Sequence, residues 1–476
     1  MTSFKEEFTT YSQKRKQFWE ALHCSPKKSC GSYYHEQLAH IYQQLIPAQS
    51  SILELGCGNA NLLAALKPKK GVGVDFSGAA IEGAQIHFPH LTLICADVYA
   101  MKVDLDTFDY IIISELVNDL WDVQELLLNL QAFCNPKTRI IFNFYSHLWN
   151  LPLQLARKLK LANPNLSQNW LTAHDLRNLL VISEFEVLRS WKEIICPLPI
   201  PGIATFCNRY LAKVWPFSHL AITNLMLARP LLVAANNAPT VSIIIAARNE
   251  AGHIQELIER IPQMGSRSEI IFVEGNSTDN TYAVIEAAIA QFSNKNLQLF
   301  KQTGKGKGDA VRLGFEKACG DILMILDADI TVPPEDLPRF YNLIVSGQGE
   351  FINGVRLVYP MQEKAMRFLN LLGNKFFSAA FSWLLGQPIR DTLCGTKVLW
   401  KSDYERIAEG HSYFGNFDPF GDFDLLFGAA RLNLKIVEVP IRYRSRRYGE
   451  TNISRWSHGL LLLRMVLFAA RRIKFT

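Results

Sequence analysis

Two groups of carboxylates in this chain stand at the ends of apolar runs, and their types and spacing suit them to binding and group-transfer chemistry. In the first, Ile52-Leu53-Glu54-Leu55 runs into the glycine turn Gly56-Cys57-Gly58, and a helical pattern begins at Asn61. Glycine permits positive φ and close approach of a ligand to the backbone, and a following helix offers free N–H groups to an anionic group. A second apolar run ends at Asp75 and a third is followed by Asp97. In a doubly wound sheet the acid after the second strand accepts hydrogen bonds from ribose hydroxyls. Asp97 can accept one from an adenine amino group. A fourth run ends at Ser114-Glu115, on the same edge.

The second group centres on Asp327-Ala328-Asp329, which follows the apolar run Ile322–Leu326. Two such carboxylates suit a hard divalent cation that completes its shell with water and substrate phosphates. Upstream, Gly304-Lys305-Gly306-Lys307-Gly308 sets two lysines in a glycine loop before a helical pattern, fitting diphosphate charge without forming a P-loop, which needs Lys-Ser/Thr. Acidic residues also close the segments ending at Glu250 and Glu274, and Asp279 follows in a Ser/Thr/Asp cluster that can equally cap a helix.

These residues need strands to place them. Short apolar β-branched runs alternate with helical patterns in both halves, so the fold class is α/β, with two domains, each a mostly parallel sheet flanked by helices. Predicted strands in the first half are 51–55, 71–75, 92–95, 110–114, 139–144, 185–188 and 224–228. In the second half they are 241–246, 269–273, 298–301, 322–326, 351–357 and 435–439. The small, polar, Pro-terminated stretch 234–239 reads as a linker between domains 1–233 and 240–476. Cys196–Leu232, rich in Pro and aromatics, reads as a packed insertion, with a lid or a membrane-touching patch as alternatives.

The bulk numbers agree with two folded domains. The chain has 476 residues, 49% hydrophobic and 20% charged, more than a single core usually organises. A net charge of +6 does not point to nucleic acid. The charge is concentrated at the end: from Arg442 onward there are nine basic residues and one acidic residue, Glu450. That favours phosphate-bearing ligands or an anionic membrane surface. The dispersed cysteines, with no Cys-x-x-Cys pair, read as reduced thiols in a cytoplasmic protein. The polar N-terminus lacks the apolar core of a signal peptide, and no apolar run reaches bilayer length. The segment 459–470 fits both a docked terminal helix and an amphipathic helix lying at the cytoplasmic membrane surface.

With its motifs in this order, the segment from about Ser32 to Leu232 resembles the class I S-adenosylmethionine-dependent methyltransferases, of Rossmann-like fold. The resemblance implies that Glu54, Gly56 and Gly58 shape the methionine end of the cofactor pocket. It gives Asp75 the ribose, and Asp97 with Val98 the adenine. Ala60 stands where a third glycine is common. A nicotinamide dinucleotide is the rival cofactor, disfavoured by Glu54 and Asp97. His35, Tyr145 and His147 are candidate bases near strand ends, each with an ordinary structural reading beside it. The methyl acceptor is not legible.

The segment Pro239–Lys474 resembles family 2 glycosyltransferases of GT-A fold, most of all the dolichyl- or polyprenyl-phosphate sugar synthases. The resemblance implies that Asp327 and Asp329 bind a divalent metal, Mg or Mn, together with a nucleotide-sugar donor. Glu250, Glu274 and Asp279 would line the nucleotide pocket, and Lys305 would meet the donor phosphates. Gly275 and Asn276 depart from the family's usual Asp and Gly. Asp391 in Arg390-Asp391-Thr392, Asp422 and Asp424 in Phe420-Gly421-Asp422-Phe423-Asp424, and Arg447 in the basic loop before the terminal helix are the catalytic candidates. Asp422 also fits a helix cap. The expected function is bifunctional: methyl transfer, and glycosyl transfer to a lipid phosphate. The alternative is a glycosyltransferase carrying a non-catalytic, S-adenosylmethionine-binding module.

Overall fold

A computed structural model describes residues 2–23, 32–101, 106–159, 166–232, 238–356, 358, 368–410, 422–444 and 455–475. Apart from its last two residues, the chain divides into two compact units, Met1–Leu232 and Val233–Lys474. Most of the expected linker, 234–237, lies outside the described residues, as does Arg447.

The first unit is built on β1 (Ser51–Leu55), β2 (Lys70–Asp75), β3 (Thr92–Cys95), β4 (Tyr110–Ser114), β5 (Arg139–Tyr145), β6 (Phe185–Glu193) and β7 (Thr223–Pro230). Their order is β3-β2-β1-β4-β5-β7-β6, with β7 antiparallel to both its neighbours and the other pairings parallel. Near-continuous apolar strands such as Tyr110–Ser114 are what a sheet covered on both faces requires. Alternation divides them cleanly. Leu53, Leu55, Ile111 and Ile113 enter one core, and Ile52, Ile112 and Ile141 enter the other. Helix Ser32–Leu45 closes the second core with Tyr34, Leu38, Tyr42 and Leu45, spaced along one face. Glu54 points to that same face.

The second unit holds β8 (Val241–Ala247), β9 (Ser268–Glu274), β10 (Asn296–Lys301), β11 (Ile322–Ile325), β12 (Phe351–Val355), β13 (Lys397–Trp400) and β14 (Ile436–Pro440). The order is β10-β9-β8-β11-β13-β12-β14, and only β13 runs antiparallel to its neighbours. Both sheets are thus the expected mostly parallel, helix-flanked kind, with the Rossmann-like methyltransferase and GT-A strand arrangements.

The sequence reading missed β13. It is four residues long, begins on a lysine and runs straight into helix Lys401–Glu409. Its reversed direction matters. Met324 pairs with Val398, so the chain entering β13 arrives at the C-terminal edge of β11, where Asp327 stands.

Two further segments were left open by the sequence. Helix Arg455–Ala469 is docked on one side, burying Leu462, Met465, Val466 and Ala469, yet leaves Leu460, Leu463 and Leu467 exposed. The segment after Cys196 is uneven: Thr223–Pro230 is buried throughout as β7, whereas residues 203–220 are largely exposed. Between Ile203 and Lys213 it buries Ala204, Asn208 and Ala212 while leaving Ile203, Phe206 and Tyr210 in solvent.

Leu53 is fully buried at the centre of the first sheet. Leu53→Ala should destabilise the unit containing it by about 2–5 kcal/mol. Scanning calorimetry should show a lowered transition for that unit and an unchanged one for the second.

Candidate active sites

At the edge of the first sheet, the turn after β1 is fixed by its backbone. Gly56, Gly58 and Ala60 all have positive φ. The Gly56 amide donates to Val74 O at 2.8 Å, binding the turn to β2. The Asp75 carboxylate accepts from the Gly58 amide at 2.9 Å and from the Ser77 amide at 2.9 Å. Asp75 therefore holds the glycine turn and the next helix start in one geometry, with further lone pairs for a ligand hydroxyl. Glu54 is buried, and its Oε2 has no hydrogen-bond partner among the described residues. Burial pushes its carboxyl up to about 8, against a backbone hydrogen bond from Leu63 and helped by the charge of Asp75. Asp97 follows β3 next to this point, since the Ala96 amide donates to Asp75 O at 3.0 Å. Asp97 itself accepts from the Tyr99 amide, and Val98 is buried in the core. Glu54, Gly56, Gly58, Asp75 and Asp97 thus stand at the C-terminal ends of β1, β2 and β3, while Val98 packs into the core.

The structure adds a polar group that sequence reasoning did not assign. Glu115 has a left-handed backbone (φ 57°) immediately after β4, and one of its oxygens, Oε1, is buried without a partner among the described residues. Burial, and then the charge of Glu115, hold the Tyr34 hydroxyl well above the usual tyrosine range, and the same causes act on Tyr145. Tyr34 also shares a hydrogen bond with Thr223 Oγ1 at 2.7 Å, and the Asn143 amide Nδ2 is buried without a partner among the described residues. Glu115 ended a strand in the sequence, which was the available signal; its partners come from helix Ser32–Leu45 and β5. Of the earlier base candidates, Tyr145 belongs to this group, whereas His35 and His147 are exposed.

At the edge of the second sheet, the loops after β8 and β9 are stitched together. Thr278 N donates to Asn249 Oδ1, Glu250 N to Thr281 Oγ1 and Ala251 N to Asp279 Oδ2. Glu250 contacts His253 Nδ1 at 2.9 Å, and Glu274 accepts from the Ser277 amide. Asp279 accepts from both donors of Thr281. Burial pushes its pKa up, but these hydrogen bonds outweigh it and leave the carboxyl below its usual value. The three acids share one loop pair, and each is already bonded within it.

Asp327 and Asp329 lie just past β11. Lys307 Nζ donates to Asp327 Oδ1 at 2.6 Å, so Lys307 rather than the exposed Lys305 is the lysine on the carboxylate pair. Burial would raise Asp327, but the charge of Lys307, with Lys397 and Arg356 behind it, holds it below the usual range. Asp329 is instead raised, by burial and then by the charge of Asp327, against its bonds from Thr331. A pair split in this way is a site short of positive charge. Two carboxylates at one edge could hold a hard divalent cation whose remaining positions are taken by other oxygen ligands; the described residues contain no group of three or more His, Cys, Asp or Glu that could hold one by themselves.

The loop entering β13 closes on this pair. A Cβ on Gly395 would meet Asp327 Oδ2 and Lys307 Nζ and push this charged pair aside. Asp391 is buried and gripped by Arg356, whose Nε and NH2 donate at 2.7 and 2.8 Å; the Arg356 and Leu393 amides each add a bond at 3.0 Å. Burial opposes ionisation, but Arg356 holds the Asp391 carboxyl below its usual value. Saturated in this way, Asp391 positions the loop and is not poised to take a proton. Asp424 faces Arg312 at 3.8 Å. The side chain of Asp422 lies outside the described residues. The sequence reading had set Lys307 with Lys305 against diphosphate charge; the fully buried Lys397 it did not assign.

Residues 31–190 match the family model "Methyltransferase domain", and residues 242–406 match "Glycosyl transferase family 2". The undecaprenyl-phosphate 4-deoxy-4-formamido-L-arabinose transferase of Shewanella sediminis is 30% identical over 45% of this chain and 62% of its own length. The dolichol-phosphate mannosyltransferase of Pyrococcus furiosus is 29% identical over 45% of this chain and 59% of its own. The chain thus spans about three fifths of the length of these relatives. The solved glucosyl-3-phosphoglycerate synthase of Mycobacterium tuberculosis is similar at 19% identity and a TM-score of 0.36, covering 49% of this chain and 80% of that one.

Asp391→Asn should destabilise the second unit by about 3–5 kcal/mol, because it leaves Arg356 buried without its counter-charge. Since the folded pKa of Asp391 is lowered from 3.8, its contribution is complete above that value and is lost as pH falls through the folded pKa. Acid titration of unfolding should show this loss in the parent chain and its absence in the variant.

Proposed function

The chain carries a methyltransferase domain and a family 2 glycosyltransferase domain, both transferase families, and on that premise we propose that it is a bifunctional enzyme. Its first unit transfers methyl from S-adenosylmethionine. Its second transfers a sugar from a nucleotide donor to a lipid phosphate, with a divalent metal. The observation that carries the reading is the pair of acidic clusters, each at the edge of its own sheet beside the first strand of that unit.

In the first unit, S-adenosylmethionine supplies a methyl group activated on sulfonium. The chain's part is to hold and aim it. The unpartnered Glu54 Oε2 and the glycine turn suit the methionine end, with its ammonium; Asp75 and Asp97 suit the ribose and adenine. Glu115, beside Tyr34 and Tyr145, would be the group to take a proton from the methyl acceptor.

In the second unit, a bound divalent cation supplies positive charge to the leaving diphosphate. Asp327 and Asp329 would hold it, and Lys307 lies within reach of the same charge. A phosphate oxygen of the acceptor forms the new bond to the sugar as the bond to the nucleotide diphosphate breaks. A phosphate monoester is already anionic at neutral pH, so no strong base is required. Support for a polyprenyl phosphate comes from the acceptors named in the two relatives and from the basic C-terminal segment. There the exposed Leu460, Leu463 and Leu467 alternate with Arg464 and Arg471, the pattern of a helix resting on a membrane surface. No helix among the described residues is long and apolar enough to cross a membrane.

Asp75→Ala should abolish S-adenosylmethionine binding measured by calorimetry and leave sugar transfer to undecaprenyl phosphate intact. Asp329→Asn should lower metal-dependent sugar transfer by roughly a hundredfold or more and leave cofactor binding intact. Loss of both activities in either variant would refute independent sites. Because burial pushes Glu54 up to about 8, binding of the cationic cofactor at pH 7 should release close to one proton per site. Calorimetry in buffers of different ionisation enthalpy detects this, and Glu54→Gln should remove it.

A further inference from the structure

Beyond the C-terminal helix, the methyltransferase unit has an exposed apolar surface of its own, rooted beside its site. Helix Asn150–Lys158 follows β5 closely and buries no residue. Leu148, Leu151, Leu155 and Leu159 are all exposed, Leu151 by 76%, and their spacing sets them along one side. The stretch after β6 repeats the pattern: Ile203, Phe206, Tyr210, Trp215, Phe217 and Leu220 all face solvent, Trp215 by 77%.

The two stretches share one root. The Trp149 indole N–H donates to Leu220 O at 2.8 Å, and the Ser146 amide donates to Ile222 O at 2.7 Å. Tyr145, which neighbours Glu115, is the residue before that junction.

Soluble surfaces scatter apolar side chains singly; a grouped set marks a contact. Charge indicates which kind. Residues 146–159 and 196–220 contain Arg157, Lys158, Arg209 and Lys213, two histidines, and no Asp or Glu. Lys213 is paired with Glu193, and Arg157 is half-buried on Gln168 with its charge acting on Asp119, which leaves Lys158 and Arg209 to set the sign of the surface. Apolar side chains interleaved with cations, with Trp and Tyr among them, match the boundary of an anionic bilayer: rings and leucines enter the acyl boundary while Arg and Lys meet headgroup phosphates.

We propose that this surface seats the methyltransferase unit on an anionic lipid bilayer. The proposal rests on the methyltransferase reading only for the significance of the location, which sets the end of β5 beside the headgroups.

The test uses the full chain and vesicles of phosphatidylcholine with or without phosphatidylglycerol, some carrying brominated acyl chains. Binding should be stronger with phosphatidylglycerol. The combined variant Leu151→Ser, Leu155→Ser, Phe206→Ser and Trp215→Ser should weaken it by roughly tenfold or more. All four positions are exposed, so folding should be retained, as unchanged S-adenosylmethionine binding would show. Brominated lipid should quench a tryptophan component that Trp215→Phe removes. Equal quenching in Trp215→Phe, or vesicle binding unaltered by the combined variant, would overturn the proposal. So would a dimer in sedimentation that the variant dissociates without any vesicle binding. Failure of the parent chain to bind S-adenosylmethionine would instead sink the methyltransferase reading and leave the vesicle result standing.

Discussion

Parallel strands must be joined by crossovers, and where the strand order reverses the crossovers leave in opposite directions. That constraint opens a crevice at the C-terminal edge of each sheet, next to its first strand. In the first unit β1 lies between β2 and β4, and in the second β8 lies between β9 and β11. Everything proposed about chemistry depends on these two gaps. A carboxylate at the end of a buried strand is expensive unless something compensates it, and the gaps are where a ligand can.

The two units compensate differently. In the first, Asp75 is satisfied by backbone amides, so the turn is rigid before any ligand arrives, while Glu54 is left with an unpartnered oxygen and an elevated pKa. In the second, Lys307 partly neutralises Asp327, and the repulsion falls on Asp329. One site is short of a hydrogen-bond donor and the other of positive charge. These are the deficits that an ammonium-bearing cofactor and a divalent ion can fill.

Around the second site, a tier of residues acts through others. Arg356 and Asp391 fix the loop before β13, and Gly395 in that loop touches Asp327 and Lys307. The antiparallel direction of β13 is the cause, because a parallel strand there would have carried the loop to the opposite edge. Asp391 is therefore better understood as a brace than as a base.

The sequence by itself determined the two α/β units, nearly all their strands and the acids at the strand ends. Apolar runs, glycine turns and terminal carboxylates are local patterns, and period and position suffice to read them. Tertiary structure alone decided which lysine meets Asp327, that Arg356 saturates Asp391, and that Glu115 gathers Tyr34 and Tyr145. It also brought the leucines after β5 and the aromatics after β6 to one root at Trp149 and Leu220. Those pairings join residues from different elements, and β13 was too short and too polar at its start to announce itself. Distance along the chain carries no record of such contacts; the order in which strands lie side by side creates them.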